Sequence, residues 1–257
     1  GVDMRVRPSW LRLRPGETRR FAVVFNRRTA TLGKPAQGYL SWSGSSHEVR
    51  MPVVVTPRAM SMRREASGSG ETGSVALRGV SGLDGTVDVH ASGLVPAKPV
   101  GLTLEPGRFD RRSPRTDADT ARFAVDVQPG SRALRIELQG RATDHVDLHL
   151  YREGRLVASA TGRGDEVLTR VEPEPGRYEV YVSSVVAENR STTTSQLYTW
   201  VLPRQERDNL SLPQSVPLRA GEPFKVRLGW SRLDATARWF GEVRYGASGR
   251  RTFVTIN

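Results

Sequence analysis

Three residues on one predicted strand, His145, Asp147 and His149, have side chains that acid–base or nucleophilic chemistry uses. Positions two apart along a strand project from the same face, so Asp147 and His149 should lie side by side. Nucleophilic catalysis by serine also needs a serine held against the histidine. The motif Gly-x-Ser-x-Gly does not occur, and its nearest match, residues 79–83, lacks the final glycine. The sequence therefore predicts no catalytic triad and no enzyme activity for this chain.

Carboxylates that gather in the middle of the chain suggest a second chemistry, calcium binding. Ca²⁺ takes about six to eight oxygen ligands, and the predicted ligands are Asp144 and Asp147 with the loop acids Asp117, Asp119 and Asp165. Their odd spacing puts residues 144 and 147 on opposite faces unless the first precedes the strand. The alternative is that all are solvated surface acids. The sequence has no cysteine, no phosphate-cradling loop and no His-Glu-x-x-His motif, so calcium is the one cofactor it suggests.

The charge balance is strongly basic, with a formal net charge of +12 at pH 7. Lysine occurs only at Lys34, Lys98 and Lys225, so 36 of the 39 basic residues are arginine. The arginines are scattered and are not interleaved with stacking aromatics, as a single-strand nucleic-acid binder requires. We therefore predict a solvated basic surface and no specific nucleic-acid partner. Weak, salt-sensitive attraction to anionic polymers follows from the charge alone.

The elements that must position these residues are short strands. Apolar residues alternate with polar ones through residues 121–183, which is typical of strands with one face on a core. The positions assigned to the apolar face are Phe123, Val125, Val127, Leu134, Ile136, Leu138, Val146, Leu148, Leu150, Val167, Val171, Tyr178, Val180 and Val182. Turn pairs such as Pro129-Gly130 and Pro175-Gly176 separate the strands. The predicted fold class is all-β, with tandem β-sandwich or jelly-roll modules. No apolar run of the sequence is long enough to predict a membrane-spanning helix.

Four segments follow from strand and turn spacing. Residues 1–57 are too few for a whole sandwich, and residues 58–73 are polar and Gly/Ser-rich, as in a linker. We expect 74–104 and 208–257 to form one discontinuous sandwich, with a module at 121–203 inserted after a loop at 105–120. The alternative is three modules in a row, with 74–104 packed on the middle one. Among the tryptophans, Trp10 and Trp42 are predicted to lie in a core, because large aromatics dominate cores.

Several segments resemble the C-terminal regions of known secreted proteases. The segments in question are Val6-Arg7-Pro8-Ser9-Trp10-Leu11, Pro15-Gly16-Glu17-Thr18, Gly38-Tyr39-Leu40-Ser41-Trp42, Asp147-Leu148-His149-Leu150-Tyr151, Pro175-Gly176-Arg177-Tyr178 and Trp239-Phe240-Gly241-Glu242. The first three resemble the later half of the fibronectin type III-like domain that follows the catalytic domain in subtilisin-like serine proteases. The next two resemble the bacterial pre-peptidase C-terminal domain, a β jelly roll. The last is similar to the tails of large actinobacterial subtilases.

This resemblance implies a non-catalytic accessory region of a secreted subtilisin-like serine endopeptidase. The upstream protease domain would be its partner, and N-terminal strands of the first sandwich would lie before Gly1. The region would stabilise or help secrete the enzyme, or hold a protein substrate or cell-surface polymer. The family's catalytic signatures are absent from this chain. Its usual Asp-Leu-Asp-Leu-Tyr carries His149 at the second aspartate, which weakens an inherited calcium site.

The alternative function is a free-standing extracellular adhesion or carbohydrate-binding β-sandwich protein. In such a protein, exposed aromatic rings stack on sugars. Trp200, Trp230 and Trp239 are the residues that could do so, although strand alternation favours burial of Trp230.

Overall fold

The computed structural model describes residues 1–185, 192–205 and 207–257, and it confirms the all-β prediction: strands make up 59% and helix 1%. The elements in the described residues are β1 (Val2–Arg7), β2 (Ala22–Arg27), β3 (Ala36–Ser43), β4 (Glu48–Val55), β5 (Met60–Met62), β6 (Glu65–Gly68), β7 (Gly73–Ser81), β8 (Gly85–Ala97), β9 (Val100–Leu104), β10 (Thr120–Val127), β11 (Ala133–Gly140), β12 (Val146–Arg152), β13 (Arg155–Ala160), β14 (Glu166–Val171), β15 (Gly176–Ser184), β16 (Thr193–Leu202), β17 (Leu210–Ser211), β18 (Ser215–Leu218), β19 (Pro223–Trp230), β20 (Arg238–Tyr245), the 3₁₀ turn η1 (Gly246–Ser248) and β21 (Arg250–Ile256). None of the described residues forms a helix long and apolar enough to cross a membrane.

The chain divides into two compact units. The first comprises Gly1–Ser61, Gly79–Thr86 and Pro217–Phe224, and the second the remaining described residues. Residues 1–55 of the first unit form two antiparallel ribbons, β1–β2 and β3–β4. Leu40, 9% exposed, is the only buried residue among residues 1–55, whereas Phe25, Val49 and Val54 are 38%, 54% and 62% exposed. These ribbons therefore have apolar faces that the rest of the unit does not cover.

The middle of the second unit is a sandwich of two four-stranded sheets, which we call the jelly-roll module. One sheet has the order β10-β15-β12-β13 and the other β14-β11-β16-β9. Its core contains Leu134, Ile136, Leu138, Leu148 and Val180, all at most 1% exposed. The alternating pattern that predicted these strands produces this core. In β14 the faces are reversed, because Leu168 points inward while Val167 and Val171 are more than 40% exposed.

Strands that precede and follow the jelly-roll module in the sequence form another two-sheet sandwich, which we call the split sandwich. Its sheets have the orders β17-β19-β7-β5 and β18-β8-β20-β21-β6. Strands from before and after the jelly-roll module therefore share sheets, with β8 paired along β20. Strand β9, by contrast, pairs with β16 of the jelly-roll module.

The segment 58–73 differs from the expected linker, because it contains β5 and β6. Strand β6 runs parallel to β21, placing Ala66 opposite Val254 and Gly68 opposite Ile256. The indole nitrogen of Trp230 donates a hydrogen bond of 2.9 Å to the carbonyl of Gly70. The glycines of this segment allow close approach of the Trp230 ring, since an added Cβ at Gly73 would lie 2.5 Å from its Cζ2. The glycines of this segment thus reflect packing against a tryptophan.

An aromatic seam joins the jelly-roll module to the split sandwich within the second unit. Tyr198 and Trp200 of β16 stack on each other with centroids 5.6 Å apart, and Trp200 meets Phe240 of β20 at 5.7 Å. The Trp200 indole nitrogen donates to the Arg238 carbonyl over 3.2 Å. Trp200 is 1% exposed and Phe240 fully buried. The outer face of the β14-β11-β16-β9 sheet of the jelly-roll module therefore forms part of a second hydrophobic core, which it shares with the split sandwich.

Candidate functional site

The predicted residues Asp147 and His149 do lie on one face of β12, the face that points away from the jelly-roll core. Their cross-strand partners on β15 are Ser183 and Tyr181. Although the face points outward, it is covered: Asp147 is 8% and His149 1% exposed. His145 precedes the strand, with its Nε2 3.4 Å from an Asp147 carboxylate oxygen. The result is a buried polar row on the outside of a sheet.

Residues 105–119, which we call the strap, cover the His149 end of this row. Phe109 of the strap stacks on the His149 ring with centroids 4.4 Å apart and planes within 8°. The same phenyl ring meets Tyr181 at 5.7 Å, and the Tyr151 hydroxyl donates to the Arg111 carbonyl over 2.8 Å. The sequence indicated a loop here, but it did not indicate that Phe109 would return to β12. The one feature of the sequence that could have indicated this contact is the presence of a single phenylalanine, Phe109, within a charged, proline-containing loop.

Burial controls the ionisation of this row. Loss of solvent lowers the pKa of His149 to about 4, and the nearby Arg111 guanidinium adds to that effect. Burial also raises the pKa of Asp147, opposed in part by His145 and by a hydrogen bond from the Gly162 backbone. The pKa of Glu166 is raised by burial and by the Asp147 charge. At neutral pH, His149 is therefore an uncharged ring inside the fold.

The arrangement does not assemble a nucleophile. The hydroxyl of Ser183 lies in the row, but it makes no hydrogen bond to His149 or to Asp147. Within the described residues, the one serine–histidine hydrogen bond joins Ser46 Oγ to Nδ1 of its neighbour His47, at 2.7 Å in an exposed turn. Among the residues that the structure describes, no carboxylate is hydrogen-bonded to the His47 imidazole, so this pair contains no oriented base.

The carboxylates predicted to bind calcium are placed separately. Asp144 does lie in the loop before β12, where its backbone closes a turn with Arg141 and accepts from Gly164. Asp119 accepts hydrogen bonds from the Arg108 amide and the Thr120 hydroxyl, and Asp165 accepts from the Gly140 amide at 3.2 Å. Asp117 caps its own turn through the Ala118 amide. Across the described parts of the chain, no three His, Asp or Glu side chains are grouped so that they could hold a metal ion.

Calcium binding therefore stays a prediction, and it requires the loops to bring further oxygens to Asp147. If it occurs, Ca²⁺ at 100 times its Kd should add about 2.7 kcal/mol to the free energy of unfolding. Thermal unfolding in millimolar Ca²⁺ and in excess chelator measures this, with Asp147→Ala expected to abolish the difference. Asp126→Ala, at an exposed aspartate of β10, is the matched control. Identical melting curves in calcium and chelator would remove the site.

The predicted core positions of Trp10 and Trp42 differ from those in the structure, whereas the burial expected of Trp230 is found. Trp10 is 74% exposed, and Trp42 is half-buried with its ring edge-on to Phe21 at 5.1 Å. The expected core position of Trp10 is therefore wrong in this unit, because the ribbons provide no second layer over it. Trp200 and Trp230 are buried in the second unit and present no ring to a sugar.

The two ribbons of residues 1–55, with their uncovered apolar faces, are similar in sequence to a known family. Residues 1–55 match the family model of the fibronectin type-III domain. A complete fibronectin type III fold is a two-sheet sandwich of about 100 residues and seven strands, whereas the matched segment has four strands. Residues 1–55, which we call the fibronectin segment, are therefore similar to part of that sandwich, and the fold is typically non-catalytic. No curated protein matches the chain.

Proposed function

We propose that this chain is a non-catalytic accessory region of a larger secreted protein, and that the larger protein is a subtilisin-like serine protease. The observation that carries the proposal is the fibronectin segment, matched over residues 1–55 with its apolar faces open. Strands contributed by another part of the parent protein would cover those faces and complete the sandwich. The pre-peptidase C-terminal resemblance of 121–203 supports the same parent.

The work of the region would be to stabilise the protease and to hold a substrate protein or a cell-surface polymer near it. The excess of arginine favours an acidic partner, since the chain carries a net charge of +12. The alternative, a free-standing carbohydrate-binding protein, is supported less well. Of the three tryptophans considered for it, only Trp239 is partly accessible, and its indole nitrogen already donates to the Asp234 carbonyl at 3.1 Å.

The test is to recover the natural protein with antibodies raised against the jelly-roll module and to treat it with a fluorophosphonate probe. We expect a polypeptide much larger than 28.4 kDa that the probe labels at serine. The isolated 257-residue chain, as the matched control, should neither be labelled nor release peptides from casein. Recovery of a separate, unlabelled chain of this mass would contradict the proposal and favour the free-standing alternative.

A further inference from the structure

Strand β6 is the outermost strand of its sheet, and one of its edges is unpaired. The sheet has the order β18-β8-β20-β21-β6, so no strand of the described residues pairs with β6 on the side away from β21. The Arg64 and Gly68 carbonyls accept hydrogen bonds of 2.8 and 3.1 Å from backbone amides of residues 253–257. Successive residues of a strand direct their backbone groups to opposite edges. The amides and carbonyls of Glu65 and Ser67 therefore point towards the unpaired edge.

A cavity of about 290 Å³ lies beside this edge, between the two sheets of the split sandwich. Its apolar floor contains Ala66 of β6 in one sheet and Val75 and Leu77 of β7 in the other. Leu77 is only 4% exposed. Pockets that bind small ligands begin at about 300 Å³, so this cavity suits a partner's side chain better than a cofactor. A strand added to β6 would direct every second side chain towards it.

The rim of the cavity is positively charged. Two exposed arginines, Arg63 and Arg78, contribute to the lining. Glu65 is the one carboxylate among the described lining residues, and its two oxygens already accept hydrogen bonds from Arg135 at 3.1 and 3.2 Å. A partner that carries carboxylates therefore complements the rim. A second copy of this chain does not, because it would bring the same arginines against their equivalents.

We propose that β6 and the adjoining cavity form a docking edge for an extended acidic peptide. The peptide backbone would pair with the outward groups of Glu65 and Ser67, and an apolar side chain would enter the cavity over Leu77. Carboxylates on either side of that residue would meet Arg63 and Arg78. Main-chain pairing of this kind supplies affinity, and the pockets for alternate side chains supply specificity. The inference rests on the proposed function only for the source of the peptide, which would be the protein that the region holds.

Peptide binding by the whole 257-residue chain tests the proposal. The probe is a fluorescein-labelled peptide of about six residues, the length of an average strand, in which valine alternates with glutamate. Fluorescence anisotropy measures its Kd. The same peptide with lysine in place of glutamate should bind at least about tenfold more weakly, because it meets the arginines with like charge. The acidic peptide with N-methylated backbone amides lacks the donors for strand pairing and should lose at least about tenfold.

Variants of the chain locate the site. Arg78→Glu reverses an exposed charge at the rim, so it should weaken binding of the acidic peptide by about tenfold or more. Arg155→Glu, at an exposed arginine of the edge strand β13, is the matched control and should change the Kd by less than about twofold. Ser67→Pro removes an outward amide and leaves the amides that bond to β21, so it should abolish binding.

Several results would overturn the proposal. They are equal binding of the glutamate and lysine peptides, equal binding of the N-methylated peptide, equal losses in Arg78→Glu and Arg155→Glu, and no binding at about 1 mM peptide. A single-stranded oligonucleotide that binds with the same dependence on Arg78 would show a site for polyanions instead. Dimers that Arg78→Glu disrupts would assign the edge to a second copy.

Two features of the design keep these outcomes separate from other failures. If Ser67→Pro prevents folding, the N-methylated peptide makes the same test on the native chain. Peptide binding is measured on the isolated chain, whereas the proposed function is tested by probe labelling of the natural protein. Either result can therefore fail without the other.

Discussion

Glu137→Ala should destabilise the second unit by about 3–5 kcal/mol, the range for removing one partner of a buried ion pair. The Glu137 carboxylate lies between two guanidinium groups, 2.5 Å from Arg238 and 3.6 Å from Arg135, and its side chain is only 8% exposed. Arg135 is buried to a similar degree and has Glu65 at 3.1 Å as its other partner. Without Glu137, Arg238 loses its only carboxylate partner among the described residues. Urea unfolding monitored by tryptophan fluorescence measures the loss.

The matched control is an ion pair of the same type on the surface. Arg122 and Glu179 are 3.3 Å apart with side chains 53% and 33% exposed, so Glu179→Ala should cost less than about 1 kcal/mol. The double variant Glu137→Met with Arg238→Met should lose less free energy of unfolding than the two single variants lose together. The reason is that it leaves no buried charge unpaired. Equal losses for Glu137→Ala and Glu179→Ala would show that the buried pair is not protected from solvent.

Gly73→Ala should destabilise the split sandwich by about 1–3 kcal/mol through overpacking. The new Cβ would lie 2.5 Å from Cζ2 of Trp230, and that ring is only 5% exposed and held by its hydrogen bond to Gly70. Gly68→Ala meets the same ring and should behave alike. The measurement is thermal unfolding, where this loss corresponds to roughly 2–4 °C per kcal/mol for a unit of this size.

The control glycine is Gly101 of β9, which has ordinary backbone angles and nothing near its absent Cβ. Gly101→Ala should change stability by less than about 0.5 kcal/mol. In a Trp230→Leu background the cost of Gly73→Ala should largely disappear, because the atoms that clash are gone. A Gly73→Ala loss that persists in that background would mean that the glycine is needed for another reason.

The sequence predicts strands and their buried faces wherever apolar and polar residues alternate with a period of two. The core positions Ile136, Leu148 and Val180 came directly from that pattern, since a strand with one buried face requires it. Strand β14 shows its limit: Val167 and Val171 are as apolar as Leu168, so composition alone placed the wrong face inward. The cross-strand pair of Leu168 with Ile136, which decides the register, is a contact between distant residues.

Contacts between distant parts of the chain account for the other differences. The parallel pairing of β6 with β21 makes a Gly/Ser segment into a packed strand, and nothing local in 58–73 indicates its partner. The same holds for the site. The shared face of Asp147 and His149 follows from their spacing, but the stacking of Phe109 on His149 depends on where the strap returns. The residue type of Trp10 favours a core position, whereas its burial would require a layer that these ribbons lack.

The pairing of β6 with the last strand also sets an order of events during synthesis. Partners such as Ala66 and Val254 are about 190 residues apart. At ribosomal rates, synthesis of the residues between them takes roughly 10–40 s, during which β6 is without β21. The jelly-roll strands can all be complete before β21 emerges, because they lie between the two halves. The side-chain amide of Asn209 then closes the base of the insertion, with hydrogen bonds of 2.7 and 2.9 Å to the Leu94 backbone. Until β20 and β21 are made, β8 lacks β20 and β6 lacks β21, so these edges are exposed to other chains and the nascent protein is most vulnerable to aggregation at that stage.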